Sequence, residues 1–427
     1  MTTTAARTKE CVETVVDPKA HADPKRLYDA FAWLRKNDPF AKAELEGFDP
    51  FYVVTRHADI LEISRDNTLF PYGTYPSTLA PHVAVENGRA ARAAGRPLLY
   101  TLVQMDEPDH MKYRALTQGW FMPQNLRALE GRVRELAKAA VARMETLGGA
   151  CDFVGEVALH YPLRVIMQIL GVPPEDEPRM LQLTQELFGA TDPDLRRRGE
   201  DDSPEARAMA IQAVLADFFN YFNKLTESRR ANPLEDVASV IANATVDGNQ
   251  ISAFDAVSYY VIIATAGHDT TSSSTAGALW ALAERPAELA KVKANPELIP
   301  GLVDESIRWT TPVRHFMRSA ATDVTVADRA FKQDDWFMLC YPSGNRDETV
   351  FDDPMEFRVD RSPNRHLAFG YGAHVCLGQH LAQMEMRILW EELLPRLKSV
   401  ELAGDAQLSE ANFVNGPKRL PIRYTLA

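Results

Sequence analysis

The sequence predicts a mainly α-helical protein with a few small β-sheets, folded as a single large domain. Three observations carry this. Amphipathic stretches with apolar residues at helical spacing recur along most of the chain. Strand signals are short and few. No linker, internal repeat or low-complexity tract separates independent halves.

In chain order, residues 1–22 read as an N-terminal tail preceding a domain over 23–427. Asp23 is placed to cap a helix over Pro24–Lys36. FYVVT, Phe51–Thr55, is the first strand. Phe70–Val103 mixes Pro and Gly with small apolar residues and reads as irregular. A long amphipathic helix follows over Pro123–Leu147, ended by Gly148–Gly149. Two more helices, PEDEPRMLQLTQELFG and Ala206–Arg229, flank the charged connection Thr191–Glu205. Its Arg196–Arg198 run reads as a solvated face, with an access lid as the sharper alternative. Ser252–Glu284 reads as one helix, about 33 residues and roughly 50 Å long. WFMLCY, Trp336–Tyr341, and PIRYTL near the C-terminus are the remaining strands.

Composition narrows the function. Hydrophobic residues make up 45% and charged residues 25%, which excludes global disorder and fibrous architectures. The net charge is −12 (47 basic against 59 acidic residues), which argues against nucleic acid and anionic lipid as partners. Cys11, Cys151, Cys340 and Cys376 form no CxxC pair, so a reducing compartment is expected. With no basic-then-apolar leader and no apolar run long enough to span a bilayer, a cytoplasmic location is expected.

The most specific stretch is His366–Leu394, which holds Phe369, Gly370, Gly372, Cys376 and Gly378 in the order F-G-x-G-x-x-x-C-x-G. An amphipathic helix begins after Cys376. A thiolate is favoured at a helix N-terminus, where N–H groups are unpaired. Gly372 and Gly378 let the backbone turn sharply and approach a ligand closely. A flat cofactor with Cys376 as axial ligand meets these demands, whereas a lone cysteine is otherwise a small core hydrophobe.

This loop resembles the haem-binding signature of the cytochrome P-450 family, the haem-thiolate monooxygenases. The resemblance implies that family's fold, with haem b between a long central helix and the cysteine loop. It also implies Cys376 as the metal ligand, Phe369 packed beside the thiolate, and Gly378 in the cofactor site. AGHDTT, Ala266–Thr271, keeps the family's A/G-G-x-D/E-T pattern. There Gly267 and Thr270 would open the helical ladder locally, and Asp269 with Thr270 would relay protons. His268 takes the variable position and reads as packing or hydrogen bonding. Glu305 and Arg308 match the E-x-x-R pair, expected to lock with Arg361 behind the cysteine loop, with Asn345–Asp347 between them. His110, Arg114, Arg318 and His374 match the contacts to the haem propionates.

The same resemblance places Ile262, Thr265, Ala266, Thr270, Phe316, Phe413 and Val414 around the substrate. These are mostly apolar, so a small hydrophobic substrate is expected. ATAGHDTTSSS, LVDESIRWTTPV and NFVNGPKRLPIRYT are similar to the branch that hydroxylates terpineol and cymene-like alkylbenzenes. The implied reaction uses dioxygen and hydroxylates a C–H bond. No flavin or nicotinamide fingerprint is present, so electrons are expected from an iron–sulfur ferredoxin and an NAD(P)H-dependent reductase. Lys112, Arg127 and Arg365 are candidate docking cations. The competing readings are a peroxygenase or NO reductase, and a haem- or ligand-binding sensor without turnover.

Overall fold

The computed structural model describes residues 3–73, 75–95, 97–197 and 203–427. Its architecture is helical, with one four-stranded sheet, one three-stranded sheet and three two-stranded ribbons. In the larger sheet Phe40–Ala43, Phe51–Val54, Trp336–Cys340 and His315–Ser319 lie side by side in that order. Phe51–Val54 runs parallel to Trp336–Cys340, and the other neighbours are antiparallel. Trp336–Cys340 is buried along its whole length, because both faces of the sheet are covered. Leu397–Leu402, Pro421–Leu426 and Ala150–Asp152 form the three-stranded sheet.

The helical core is assembled by a few long contacts. Pro123–Thr146 packs on Gln379–Leu393, and Asp269–Glu284 packs on Ile299–Thr310. Ala253–Ala266 packs on Pro204–Ala231. The Asp23 carboxylate accepts from the Arg26 N–H at 3.1 Å and caps Pro24–Asn37. Gly148 and Gly149 both take positive φ after Pro123–Thr146, which stops that helix.

Four expectations need correction. The N-terminal tail is instead a helix, Thr4–Val16, because Cys11, Val12, Val15 and Val16 share a face that packs on Leu27, Phe31 and the sheet. The irregular stretch Phe70–Val103 contains a helix, His82–Ala93, which buries only Val85 and so has little apolar periodicity. Arg197 does not sit on a solvated face. It donates to Glu186 at 2.7 Å and Asp217 at 2.8 Å and joins two helices; residues 198–202 of that connection lie outside the described residues. Finally, Ser252–Glu284 is two helices, Ala253–Ala266 and Asp269–Glu284, interrupted at Gly267–His268. No helix among the described residues is long and apolar enough to cross a membrane.

Candidate functional site

A cavity opens between the interrupted helix and the cysteine loop. The cysteine loop, with Phe369, Cys376 and Gly378, forms one wall, and the interrupted helix, with Ala266, Gly267 and Thr270, forms the other.

The loop wall is shaped by its glycines. Gly370 and Gly372 take φ of 68° and 73°, and a Cβ on Gly372 would lie 2.2 Å from the Ser64 carbonyl oxygen. A Cβ on Gly378 would meet nothing within 4 Å, so this backbone faces open cavity. The Cys376 N–H donates to the Phe369 carbonyl at 2.8 Å, which closes the loop. The Cys376 side chain is exposed, but only to the cavity that it lines deep within the protein. Burial pushes its thiol up, while the Gly378 and Gln379 N–H groups and Arg114 pull it down. The thiolate expected from the helix start is therefore not favoured by the loop alone. A bound cation would complete it.

The opposite wall is the helix break. A Cβ on Gly267 would lie 2.7 Å from Ile166 and 3.0 Å from the Ile263 carbonyl, so only glycine fits. The Thr270 hydroxyl donates to the Ala266 carbonyl at 2.9 Å and faces the cavity. Ile262, Ala266 and Phe316 line the cavity beside it.

His110, Arg114, Arg318 and His374 also line the cavity. The His110 and His374 rings are 4.0 Å apart, and the Arg318 guanidinium lies 4.0 Å over the Tyr72 ring. Arg114 donates to the Val375 carbonyl and Arg318 to the Met317 carbonyl. Burial, then Arg318, His110 and Arg114, drives His374 down to about 2. The one acid on the cavity wall, Glu385, is itself fully buried and pushed well above the carboxylate range by burial. Glu107 stands 3.4 Å from His110, but no carboxylate among the described residues pairs with Arg114 or Arg318, and a ligand with two carboxylates supplies that charge. Among the described residues no group of three or more His, Cys, Asp or Glu could hold a metal ion. A metal at Cys376 must bring its other donors with it. A haem satisfies both conditions.

Behind the loop, Arg308 donates to both Glu305 oxygens at 2.7 Å, and Arg361 donates to both at 3.1 Å. Glu305 and Arg308 are fully buried, and Arg361 nearly so. Asn345 accepts the Leu367 N–H at 2.6 Å and carries this network to the start of the cysteine loop. Arg308 holds the other side of Asn345 by donating to its carbonyl at 2.9 Å.

Four expected site residues do not reach the cavity. Thr265 is buried and donates to the Val261 carbonyl, on the far face of its helix. Phe413 forms a second layer, its ring 5.6 Å from Phe316 and 6.1 Å from Phe188. Val414 and Asp269 line a separate small pocket; Asp269 and Thr270 are successive residues of one helix, about 100° apart around its axis, and so face different cavities. Sequence reasoning missed Tyr72, Ile263, Val313, Tyr341 and Glu385 on the cavity wall. For Glu385 a signal was available: it is an acid on the stripe Leu381, Met384, Ile388 that the helix buries.

Comparison with known proteins agrees with this geometry. The family model for cytochrome P450 matches residues 294–422. The chain is 47% identical over 415 residues to cytochrome P450-terp of a Pseudomonas species, covering 97% of each chain. It is 32% identical over 400 residues to linalool 8-monooxygenase of Pseudomonas putida, covering 92% of this chain and 95% of that one. Among solved structures, CYP108D1 from Novosphingobium aromaticivorans superposes with a TM-score of 0.88 at 45% identity, over 98% of this chain and 99% of that one.

Proposed function

Starting from a chain that belongs to the cytochrome P450 family, and so is a haem b monooxygenase, we propose that it hydroxylates a compact hydrophobic molecule. The class is a monoterpene such as terpineol or limonene, or an alkylbenzene such as cymene. The observation that carries this reading is the apolar wall of Ile262, Ile263, Ala266, Val313 and Phe316, with Thr270 as the hydroxyl among them. Such a wall orients a hydrocarbon by shape and offers little to a charged one. The similarity to a linalool 8-monooxygenase, whose substrate is a monoterpene alcohol, supports the same class.

In this reading Cys376 would hold the haem iron through its thiolate. Arg114, Arg318, His110 and His374 would hold the haem carboxylates, and Phe369 and Gly378 would complete the site beside Cys376. Bound there, haem supplies the activation of dioxygen that inserts one oxygen atom into a C–H bond. The chain's own residues do the rest. The apolar wall excludes water and places the C–H bond. Thr270 presents its hydroxyl to the cavity. Asp269 takes up protons from the small pocket on its other side and passes them inward by turning toward Thr270. Glu305, Arg308 and Arg361 act behind the loop and fix its shape. The catalytic unit runs from the helix Thr4–Val16 onward, because that helix is part of the core.

Electrons come from an iron–sulfur ferredoxin and its NAD(P)H-dependent reductase. Of the three docking cations, Arg127 and Arg365 stand exposed, whereas Lys112 is engaged by Asp247 at 2.6 Å. The test is a panel of terpenes and alkylbenzenes scored by the haem spin-state shift, followed by turnover. Terpineol or cymene should shift the spin state and give alcohol with ferredoxin and reductase. A shift from charged compounds alone overturns the substrate class, and full activity with peroxide alone overturns the electron route. Thr270→Ala should keep binding but release peroxide instead of product. Asp269→Asn should slow turnover about 10²-fold.

A further inference from the structure

His268 sits at the helix break with its side chain fully buried. Both of its ring nitrogens face acceptors. Nε2 is 2.9 Å from the Leu159 carbonyl oxygen, which can only accept, so Nε2 carries a proton. Nδ1 is 3.4 Å from the Thr184 hydroxyl, whose own proton goes to the Leu181 carbonyl at 2.9 Å. That hydroxyl can therefore only accept from Nδ1. Nδ1 also lies 3.1 Å from a carboxylate oxygen of Asp269. A neutral ring with a bare Nδ1 would turn a lone pair toward two oxygens. A ring protonated on both nitrogens donates to the Leu159 carbonyl and the Thr184 hydroxyl and sets its positive charge 3.1 Å from the Asp269 carboxylate.

The other Asp269 oxygen is buried with no partner. Asp269 lines a small pocket of about 60 Å³ together with Gln185, Ser272, Ser273, Asn415 and Lys418. Most of the pocket wall is apolar, but these polar groups share it and the space is large enough for water. The charged groups on the surrounding elements have their own partners. Glu156 pairs with Arg143, Arg164 with Glu177, Glu186 with Arg197, and Lys418 with Asp192 and Asp194. His160 is held toward its neutral form by burial and by Arg164. Asp269 is left as the counter-charge for His268.

We propose that His268 is the positioning residue of the proton relay: a buried imidazolium that ion-pairs with Asp269 and holds the relay's proton in reserve. The Nδ1 proton moves to Asp269, leaving a neutral ring that still donates from Nε2 to Leu159. Asp269, now a carboxylic acid, turns and delivers that proton toward Thr270. A proton from bulk solvent, relayed through water in the small pocket, then restores the pair. An unpaired cation at this depth would be costly, so the charge on His268 depends on Asp269.

The proposal rests on Asp269 being the relay acid, and the experiment separates the two. In ¹⁵N-histidine-labelled ferrous–CO holoenzyme at pH 7, both ring nitrogens of His268 should be protonated. In Asp269→Asn the ring should lose one proton at the same pH. A neutral His268 in the wild type overturns the proposal, whether or not any variant folds. His268→Asn should slow turnover about tenfold at unchanged haem content and unchanged substrate-induced spin shift. The double variant should be no slower than Asp269→Asn, because the histidine acts through the acid. Slowdowns that multiply overturn the proposal. Wild-type turnover in Asp269→Asn instead overturns the reading of Asp269 itself.

Discussion

On the thiolate side of the cavity, Glu305 accepts from Arg308, Arg361, Asn364 and the Arg358 N–H, and every one of these contacts is 3.1 Å or shorter. On the helix side, the Ala266 carbonyl is left to a threonine hydroxyl, and one Asp269 oxygen has no partner. The first wall surrounds both Glu305 oxygens with donors and so fixes one geometry around that carboxylate. The second leaves groups free to exchange partners during a proton transfer. A thiolate ligand needs an invariant position, whereas a relay needs alternatives. The two walls meet these demands with the same kinds of side chain.

The sharpest way to break the comparison is to unsaturate the rigid wall. Arg308→Ala leaves Glu305 buried with Arg361 as its only cation. Removing one partner of a buried pair costs about 3–5 kcal/mol. Haem content should collapse along with the denaturation midpoint. The exposed pair Arg423–Glu401 is the control, and Arg423→Ala should cost less than about 1 kcal/mol. Equal effects of the two substitutions would show that the network carries no special load.

Gly372→Ala comes next. An L-residue at φ 73° costs about 1–2 kcal/mol, and its Cβ would press on the Ser64 carbonyl, which is backbone and cannot rotate away. A loss of about 2 kcal/mol or more is expected, together with a perturbed ferrous–CO Soret band because the loop carries Cys376. An unchanged band and midpoint would mean that the loop adapts, and the wall would not be rigid in the sense argued.

These two positions were legible in the sequence because their geometry is local. F-G-x-G-x-x-x-C-x-G sets turns within ten residues, and Glu305 and Arg308 share one helix face by spacing alone. The helix wall was legible only as chemistry. AGHDTT marked a weak ladder, but its depth decided the outcome: two helices instead of one, with Asp269 turned outward. Phe413 and Val414 arrive from a segment more than a hundred residues further on, so no periodicity could place them in one layer or the next. Thr4–Val16 was missed because its buried face fills only its second half.

Phe316 and Phe413 extend the comparison to the substrate side of the cavity. Phe316 touches the cavity, and Phe413 supports it from behind. Phe316→Ala removes a side chain worth about 1.5–3 kcal/mol when covered, so substrate affinity should drop about tenfold or more. Phe413→Ala should shift affinity less and regiochemistry more, because it changes how Phe316 is held. Titrating the spin-state change with substrate reads the first effect, and product ratios read the second. If Phe413→Ala weakens binding as much as Phe316→Ala, the layering is wrong.

The smallest effect compares one histidine on each wall. His366 opens the cysteine loop, and burial above all drives it down to about 4 against an ordinary value near 6.5. It is neutral in the folded protein at pH 5, while an unfolded chain would bind a proton there. The unfolded state therefore holds more protons between about pH 6.5 and pH 4, and stability falls as pH falls through that window. His268, on the other wall, is the control. In holoenzyme, His366→Asn should flatten the decline of the urea midpoint between pH 7 and pH 5, and His268→Asn should not. Parallel curves for wild type and His366→Asn would show that His366 titrates freely within the fold. The loop would then have to open to water, and the contrast between a fixed wall and an adaptable one would fail at the residue that begins the cysteine loop.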